Sequence, residues 1–198
     1  MARPRSFDEE QVLAQARDVF WTRGYTATSL SDLERATGLV RTSLYQAFGD
    51  KRRLFDRVLA EYQAWAQGEL ARITREAGDL RTAAAALFGL AVAAARADRA
   101  RGEAARGCLI ANATCELSAV DEDALAFVAA NREAFAAALL PVARRDPGLA
   151  TAPEAAVDLA FALYSGLNLL AKSGASPAEL ERAADAGLAS FGAPASRA

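Results

Sequence analysis

Residues 29–49 read SLSDLERATGLVRTSLYQAFG. Leu30, Leu33 and Ala36 recur at helical spacing and mark one short helix. Val40, Leu44 and Phe48 recur at i, i+4 and i+8 and mark a second, with Val40 in its first turn. Only Thr37, Gly38 and Leu39 lie between, and Gly38 supplies the left-handed backbone that a tight turn between helices requires. The pattern is a helix-turn-helix. With Val40, Leu44 and Phe48 packed inward, the outward face carries Arg41, Thr42, Ser43, Tyr45 and Gln46, and no carboxylate appears until Asp50. Hydroxyls, an amide and a guanidinium are what phosphates and base edges bind. The same residues also suit the solvated side of an ordinary core helix.

Before this stretch, Met1 to Ser6 carries Arg3 and Arg5 and reads either as a disordered terminus or as a basic arm for phosphate or the minor groove. Ser6 or Asp8 then caps a helix with an apolar stripe of Val12, Leu13, Ala16, Val19 and Phe20, ending at Gly24. Thr28 or Ser29 caps the helix after it. Beyond the turn, Gly49-Asp50 opens a long helix from Lys51, with Leu54, Phe55, Val58, Leu59, Tyr62, Trp65 and Leu70 at helical spacing to about Ala77. Lys51 sits in the first turn of that helix, where the macrodipole disfavours a cation, and a nearby phosphate would account for it. From Asp79 the chain becomes alanine-rich, with helices expected near 79–99, 104–118, 121–145, 153–173 and 177–191 and no internal repeat. The expectation is an all-α chain of about nine helices. It divides into a helix-turn-helix unit at 1–50, a connecting helix at 51–77 and a larger helical unit at 78–198.

The 198 residues suffice to bury a sizeable core, and 53% apolar residues with only 6 Pro favour helices. The absence of histidine excludes His-dependent triads, His acid–base pairs and His-ligated metals. No Gly-rich phosphate loop and no CxxC occur, so neither cofactor nor metal is expected and nothing assembles a catalytic site. The longest apolar run, Ala83 to Ala95, is too short to span a bilayer, and MARPRSFDEE runs directly into charges. A cytoplasmic protein with no membrane partner is expected. Net charge is −2, yet residues 1–57 hold ten Lys or Arg against eight Asp or Glu, with Lys51-Arg52-Arg53, Arg3, Arg5 and Arg41 as the local cluster.

Cys108 and Cys115 lie seven residues apart on one expected helix. They are on the same side but roughly 10 Å apart, too far for a disulfide within it. Both read first as buried small hydrophobes. Asn112, Glu116, Tyr164 and Asn168 are polar positions on apolar helices that could line a ligand pocket, bond between helices or face solvent. Trp65, Phe88, Phe127 and Phe135 are expected in the core. Lys172 is the only lysine besides Lys51, at a helix end where a cation is favourable. The apolar faces of the last two helices, with Leu159, Leu163, Leu167, Leu170, Leu180 and Leu188, suggest a dimer contact.

Phe20, Gly24, Tyr25, Thr28-Ser29-Leu30, Leu33, Ala36, Thr37-Gly38, Leu44-Tyr45, Phe48, Lys51 and Leu54-Phe55 together resemble the DNA-binding domain of the TetR family of transcriptional repressors, without a gap from about Phe7 to Phe55. The resemblance implies a homodimer on a palindromic double-stranded operator. Thr28, Ser29 and Lys51 would grip phosphates, and Arg41, Thr42, Ser43, Tyr45 and Gln46 would face the major groove. Gln46-Ala47 departs from the aromatic or His residues frequent in the family there, so no operator sequence transfers. Arg106-Gly107-Cys108-Leu109-Ile110, Glu116-Leu117 and Tyr164-x-Gly166-x-Asn168-Leu169-x-Ala171-Lys172 are similar to a subgroup that includes repressors sensing electrophiles or oxidants. By that resemblance Cys108 would be the reacting thiol and Lys172 its neighbour, favouring thiolate. Cys108, Asn112, Tyr164, Asn168 and Lys172 are the expected sensor set, for a small molecule or an electrophile. A helical interaction adaptor keeping the helix-turn-helix as scaffold is the alternative.

Overall fold

A computed structural model describes residues 7–117 and 121–192 of the chain; the basic arm with Arg3 and Arg5 lies outside the described residues. The described residues form nine α-helices: α1 (Glu9–Arg23), α2 (Leu30–Thr37), α3 (Arg41–Phe48), α4 (Lys51–Glu76), α5 (Leu80–Ala100), α6 (Leu109–Leu117), α7 (Glu122–Arg145), α8 (Pro153–Lys172) and α9 (Pro177–Leu188). A 3₁₀ turn at Ala189–Phe191 follows.

The helix starts have local causes. Asp8 accepts from the N–H groups of Glu10 and Gln11 at 3.0 and 3.3 Å, and Asp50, Asp79 and Asp121 cap α4, α5 and α7 in the same manner. Ser29 with Asp32 and Ser176 with Glu179 form reciprocal capping boxes at α2 and α9. Gly38 ends α2 at φ 68°, the left-handed conformation the turn demands.

Two starts differ from the sequence reading. Val40 precedes α3 as its N-cap and is 62% exposed, so it does not pack inward with Leu44 and Phe48. A residue just before a helix lies off the periodic face that its spacing suggests. Helix α6 begins at Leu109, not near 104, because Gly107 adopts φ +67° and a Cβ there would stand 2.7 Å from the Asn168 carbonyl oxygen. The buried Asp98 carboxylate pins this crossing by accepting from the Arg106 N–H at 2.9 Å, from Arg106 Nε and from Arg101.

Two apolar cores result. The head core joins Val12, Leu13 and Phe20 of α1 to Leu33, Leu44, Phe48, Phe55 and Val58, and it continues into Leu109, Ile110, Ala113 and Leu117 of α6. The head therefore recruits a helix from beyond the connecting segment. Its centre is aromatic: Phe55 meets Phe20 edge-on at 5.0 Å and Tyr25 at 4.9 Å, and burying each such ring contributes about 1.5–3 kcal/mol. The body core gathers Leu70 and Ile73 of α4 with small and aliphatic side chains of α5, α7, α8 and α9 and with Phe88, Phe135 and Phe191. Trp65, expected in the core, is 54% exposed. Helices α5, α7 and α8 are long and apolar enough to cross a membrane by length and composition, which the run from Ala83 to Ala95 alone did not indicate. Here they turn Leu87, Phe88, Leu139 and Leu167 into the shared core.

Candidate nucleic-acid interface and interhelical cavity

On α3, Leu44 and Phe48 point into the head while Arg41, Thr42, Tyr45 and Gln46 stand exposed and Ser43 is half-buried. The Arg41 N–H donates to the Glu34 carboxylate at 2.6 Å, fixing the first turn of α3 to α2. No acidic residue lies in that first turn, and its N-cap residue, Val40, makes no side-chain cap bond. The start of α3 is thus an outward surface of hydrogen-bonding groups with one guanidinium.

At the start of α2, exposed Ser29 donates its hydroxyl and its N–H to Asp32 at 2.6 and 3.0 Å. These two bonds hold the Asp32 carboxyl below its ordinary range. Thr28 is buried, and its hydroxyl donates inward to the Gly24 carbonyl at 2.5 Å. Lys51 donates to the carbonyl oxygens of Tyr25 and Thr28, both at 2.9 Å, and its ammonium lies 4.3 Å from the Tyr25 ring centroid. The cation at the start of α4 therefore has an internal account, and no phosphate is needed to explain it. It fastens the α1–α2 turn to α4.

A cavity of about 580 Å³ opens between α4, α5, α6, α7 and α8. Four of the five expected sensor residues, Cys108, Asn112, Tyr164 and Asn168, meet in its wall beside Trp65, Leu70, Leu87, Phe135 and Phe161. Burial pushes Tyr62 and Tyr164 far above the ordinary phenol range. Burial also raises the Cys108 thiol, against the lowering effect of nearby N–H groups and the Tyr62 hydroxyl. These three groups are accordingly neutral at neutral pH, while Glu69 and Arg132 also line the cavity. Asn112 and Asn168 donate to the carbonyls of Arg106 and Tyr164, each at 2.9 Å, which fixes their amide orientation. A smaller cavity of about 180 Å³, walled by Phe55, Leu59, Ala113, Leu117 and Phe127, lies against the opposite face of α6.

Lys172 stands apart from the sensor set. Its ammonium donates to the Trp21 carbonyl at 3.4 Å and acts on Glu116, while no lysine is among the influences on Cys108. The expected thiolate-favouring pair is not formed. Cys115, expected buried, is exposed and lines the cavity. Glu116 lines neither cavity: its carboxylate accepts from the N–H groups of Tyr25 and Thr26 at 2.9 and 2.6 Å. Trp21 donates its indole N–H to Gly107 O at 2.9 Å under the Arg106 guanidinium, 4.5 Å from the ring centroid. This seam between head and body was not read from the sequence. Its only sequence signal was an acidic residue on an apolar helix. Among the described residues no cluster of Cys, Asp or Glu could hold a metal ion.

Residues 12–58 match the model of bacterial regulatory proteins of the tetR family. The HTH-type transcriptional repressor ComR of Escherichia coli (strain K12) is 47% identical over 60 residues, 30% of this chain and 29% of that protein. The uncharacterized HTH-type transcriptional regulator YezE of Bacillus subtilis (strain 168) is 34% identical over 119 residues, 59% of this chain and 58% of that protein. The alignments thus span under two thirds of these curated relatives. Among solved structures, a cysteine mutant of the TetR family transcriptional regulator CifR complexed with 26-base-pair double-strand operator DNA superposes with a TM-score of 0.79. It is 29% identical, with 96% of this chain and 100% of that chain covered.

Proposed function

We propose, from the premise that the chain belongs to the tetR family of bacterial regulatory proteins, that it is a DNA-binding transcriptional repressor which acts as a homodimer in the cytoplasm and is released from its operator by a small molecule. The observation that carries this is the exposed face of α3. Arg41, Thr42, Tyr45 and Gln46 project from a helix that Leu44 and Phe48 anchor, with no carboxylate in its first turn. Ser43 completes the reading face; Ser29 and the N-terminus of α2 supply phosphate contacts. Thr28 and Lys51 serve the same contact indirectly, by fixing the turn that presents α2.

Two copies related by a two-fold axis would set their α3 helices roughly 34–36 Å apart, one turn of duplex. The exposed Leu159, Leu169 and Leu170 of α8 supply the apolar contact between them, whereas Leu167 and Leu180, expected there, are buried within the subunit. Division of the chain into a reading unit at 1–50, a link at 51–77 and a sensing unit at 78–198 fits this reading, with α6 as the body helix that buries against the head. The effector site is the 580 Å³ cavity around Cys108, Asn112, Tyr164 and Asn168. Of the two release routes, reversible occupation is favoured over thiol modification, since burial disfavours the Cys108 thiolate. No catalytic step is assigned to the chain.

Fluorescence anisotropy with a duplex covering the chain's own promoter tests the reading. Salt-sensitive binding to a palindrome is expected. Arg41→Ala should weaken it by about 1–3 kcal/mol and relax its sequence preference. Binding that is equal for all duplexes and untouched by Arg41→Ala would refute the assignment of α3 as the reading helix.

A further inference from the structure

Helix α6 has a void on each side, the 580 Å³ cavity against Asn112 and Cys115 and the 180 Å³ cavity against Ala113 and Leu117. A helix so placed has room to shift that a close-packed one lacks. Its C-terminal end is tied to the head through Glu116, whose two carboxylate oxygens take the N–H groups of Tyr25 and Thr26, one each. Gly24 belongs to the same arrangement: it adopts φ +84°, which strains an L side chain, and a Cβ on it would stand 2.9 Å from the Glu116 carboxylate and push it aside. Burial works to raise the Glu116 carboxyl, and the N–H groups of Thr26 and Tyr25 with the Lys172 ammonium more than offset it. The clasped turn is the one that Lys51 fastens to α4 and that leads into the cap of α2.

We propose that Glu116 is a positioning residue for operator binding: it locks the α1–α2 turn to α6, so that filling the cavity displaces α6 and reaches the reading head through this carboxylate. The inference rests on the repressor reading above, which makes the head's orientation the quantity that matters. The clasp sits at the junction of the two cores, and its donors are the two backbone N–H groups with the Thr26 hydroxyl. A change at Glu116 therefore alters the head's attachment without touching a side chain of the reading face.

An occupant can be built into the chain itself. Ser165 of α8 lines the large cavity on the same helical face as Phe161, Asn168 and Leu169, so Ser165→Phe places a ring in the void. Operator binding is measured for wild type, Ser165→Phe, Glu116→Ala and the double variant, with hydrogen exchange at the Tyr25 and Thr26 amides as a readout that needs no DNA. Ser165→Phe should weaken operator binding about tenfold and speed exchange at both amides. Glu116→Ala should do the same, and the double variant should be no weaker than either, because both changes break one link. Glu116→Gln, which keeps the size but donates where it should accept, should fall between wild type and Glu116→Ala. Additive losses in the double variant, or wild-type exchange in Ser165→Phe, would overturn the proposal. If wild type binds no promoter duplex, the repressor reading fails, and the exchange data still decide whether the cavity reaches the turn.

Discussion

The head and the body of this molecule are both helical, yet they are specified in different ways. In the head, Phe20, Tyr25 and Phe55 pack ring against ring beneath three short helices, with the α2 cap, the left-handed Gly38 and the turn at Gly24 each set by one residue type. In the body, α5, α7 and α8 cross largely through alanines and aliphatic side chains, with Phe88, Phe135 and Phe161 among them, and the space they enclose is left partly empty. A surface that must present five side chains in one geometry needs a rigid, singular core. On the proposed function, a chamber that admits an effector needs walls and volume. The matched family pattern, confined to residues 12–58, follows that division.

The contrast can be broken most forcefully at Phe55, which is 1% exposed and touches two other rings. Phe55→Ala should cost about 3–5 kcal/mol in urea unfolding. A loss under about 1 kcal/mol would mean that the head core is no more singular than the body. Gly38→Ala should cost about 1–2 kcal/mol, all of it from the left-handed backbone, since no atom lies within 4 Å of the added methyl. A larger loss would reveal a packing role there. Ser29→Ala removes half of the α2 capping box and should cost about 1 kcal/mol.

The smallest effect concerns pH. Because the bonds from Ser29 lower the Asp32 carboxyl, the α2 cap is at full strength above the ordinary carboxylate value of 3.8 and weakens only as pH falls through the depressed one. Exchange of the α2 amides should therefore be constant in cap-related protection from pH 7 to about 5. In the body, thiol labelling sharpens the contrast between its two cysteines. Exposed Cys115 should react with iodoacetamide at neutral pH well before Cys108, whose thiolate is disfavoured by burial. Faster labelling of Cys108 would restore it as a reactive sensor.

Much of the head was legible because its signals are local. Ser29, Asp32, Gly38 and Asp50 act within three or four residues of where they stand, so their chemistry places α2, the turn and α4 without knowledge of the rest. The misreadings share a different cause. Lys51 and Lys172 each satisfy carbonyls from distant parts of the chain, Glu116 reaches back 90 residues to the α1–α2 turn, and Gly107 is required by the backbone of α8. Such partners have no spacing from which to be inferred. Trp65 and Cys115 were expected inside by residue type, but an open cavity gives large and small apolar residues a place at its edge.

The chain has only two tryptophans, and the fold posts them at the two places where change is expected. Trp21 is hydrogen-bonded to Gly107 and stacked under Arg106 at the junction of head and body, while Trp65 stands half in solvent at the cavity wall. Intrinsic emission is therefore a built-in optical record of both events. Trp21→Phe would leave Trp65 to report filling of the cavity, and Trp65→Phe would leave Trp21 to report the seam, so that the order of the two could be timed in a stopped-flow trace without any added label.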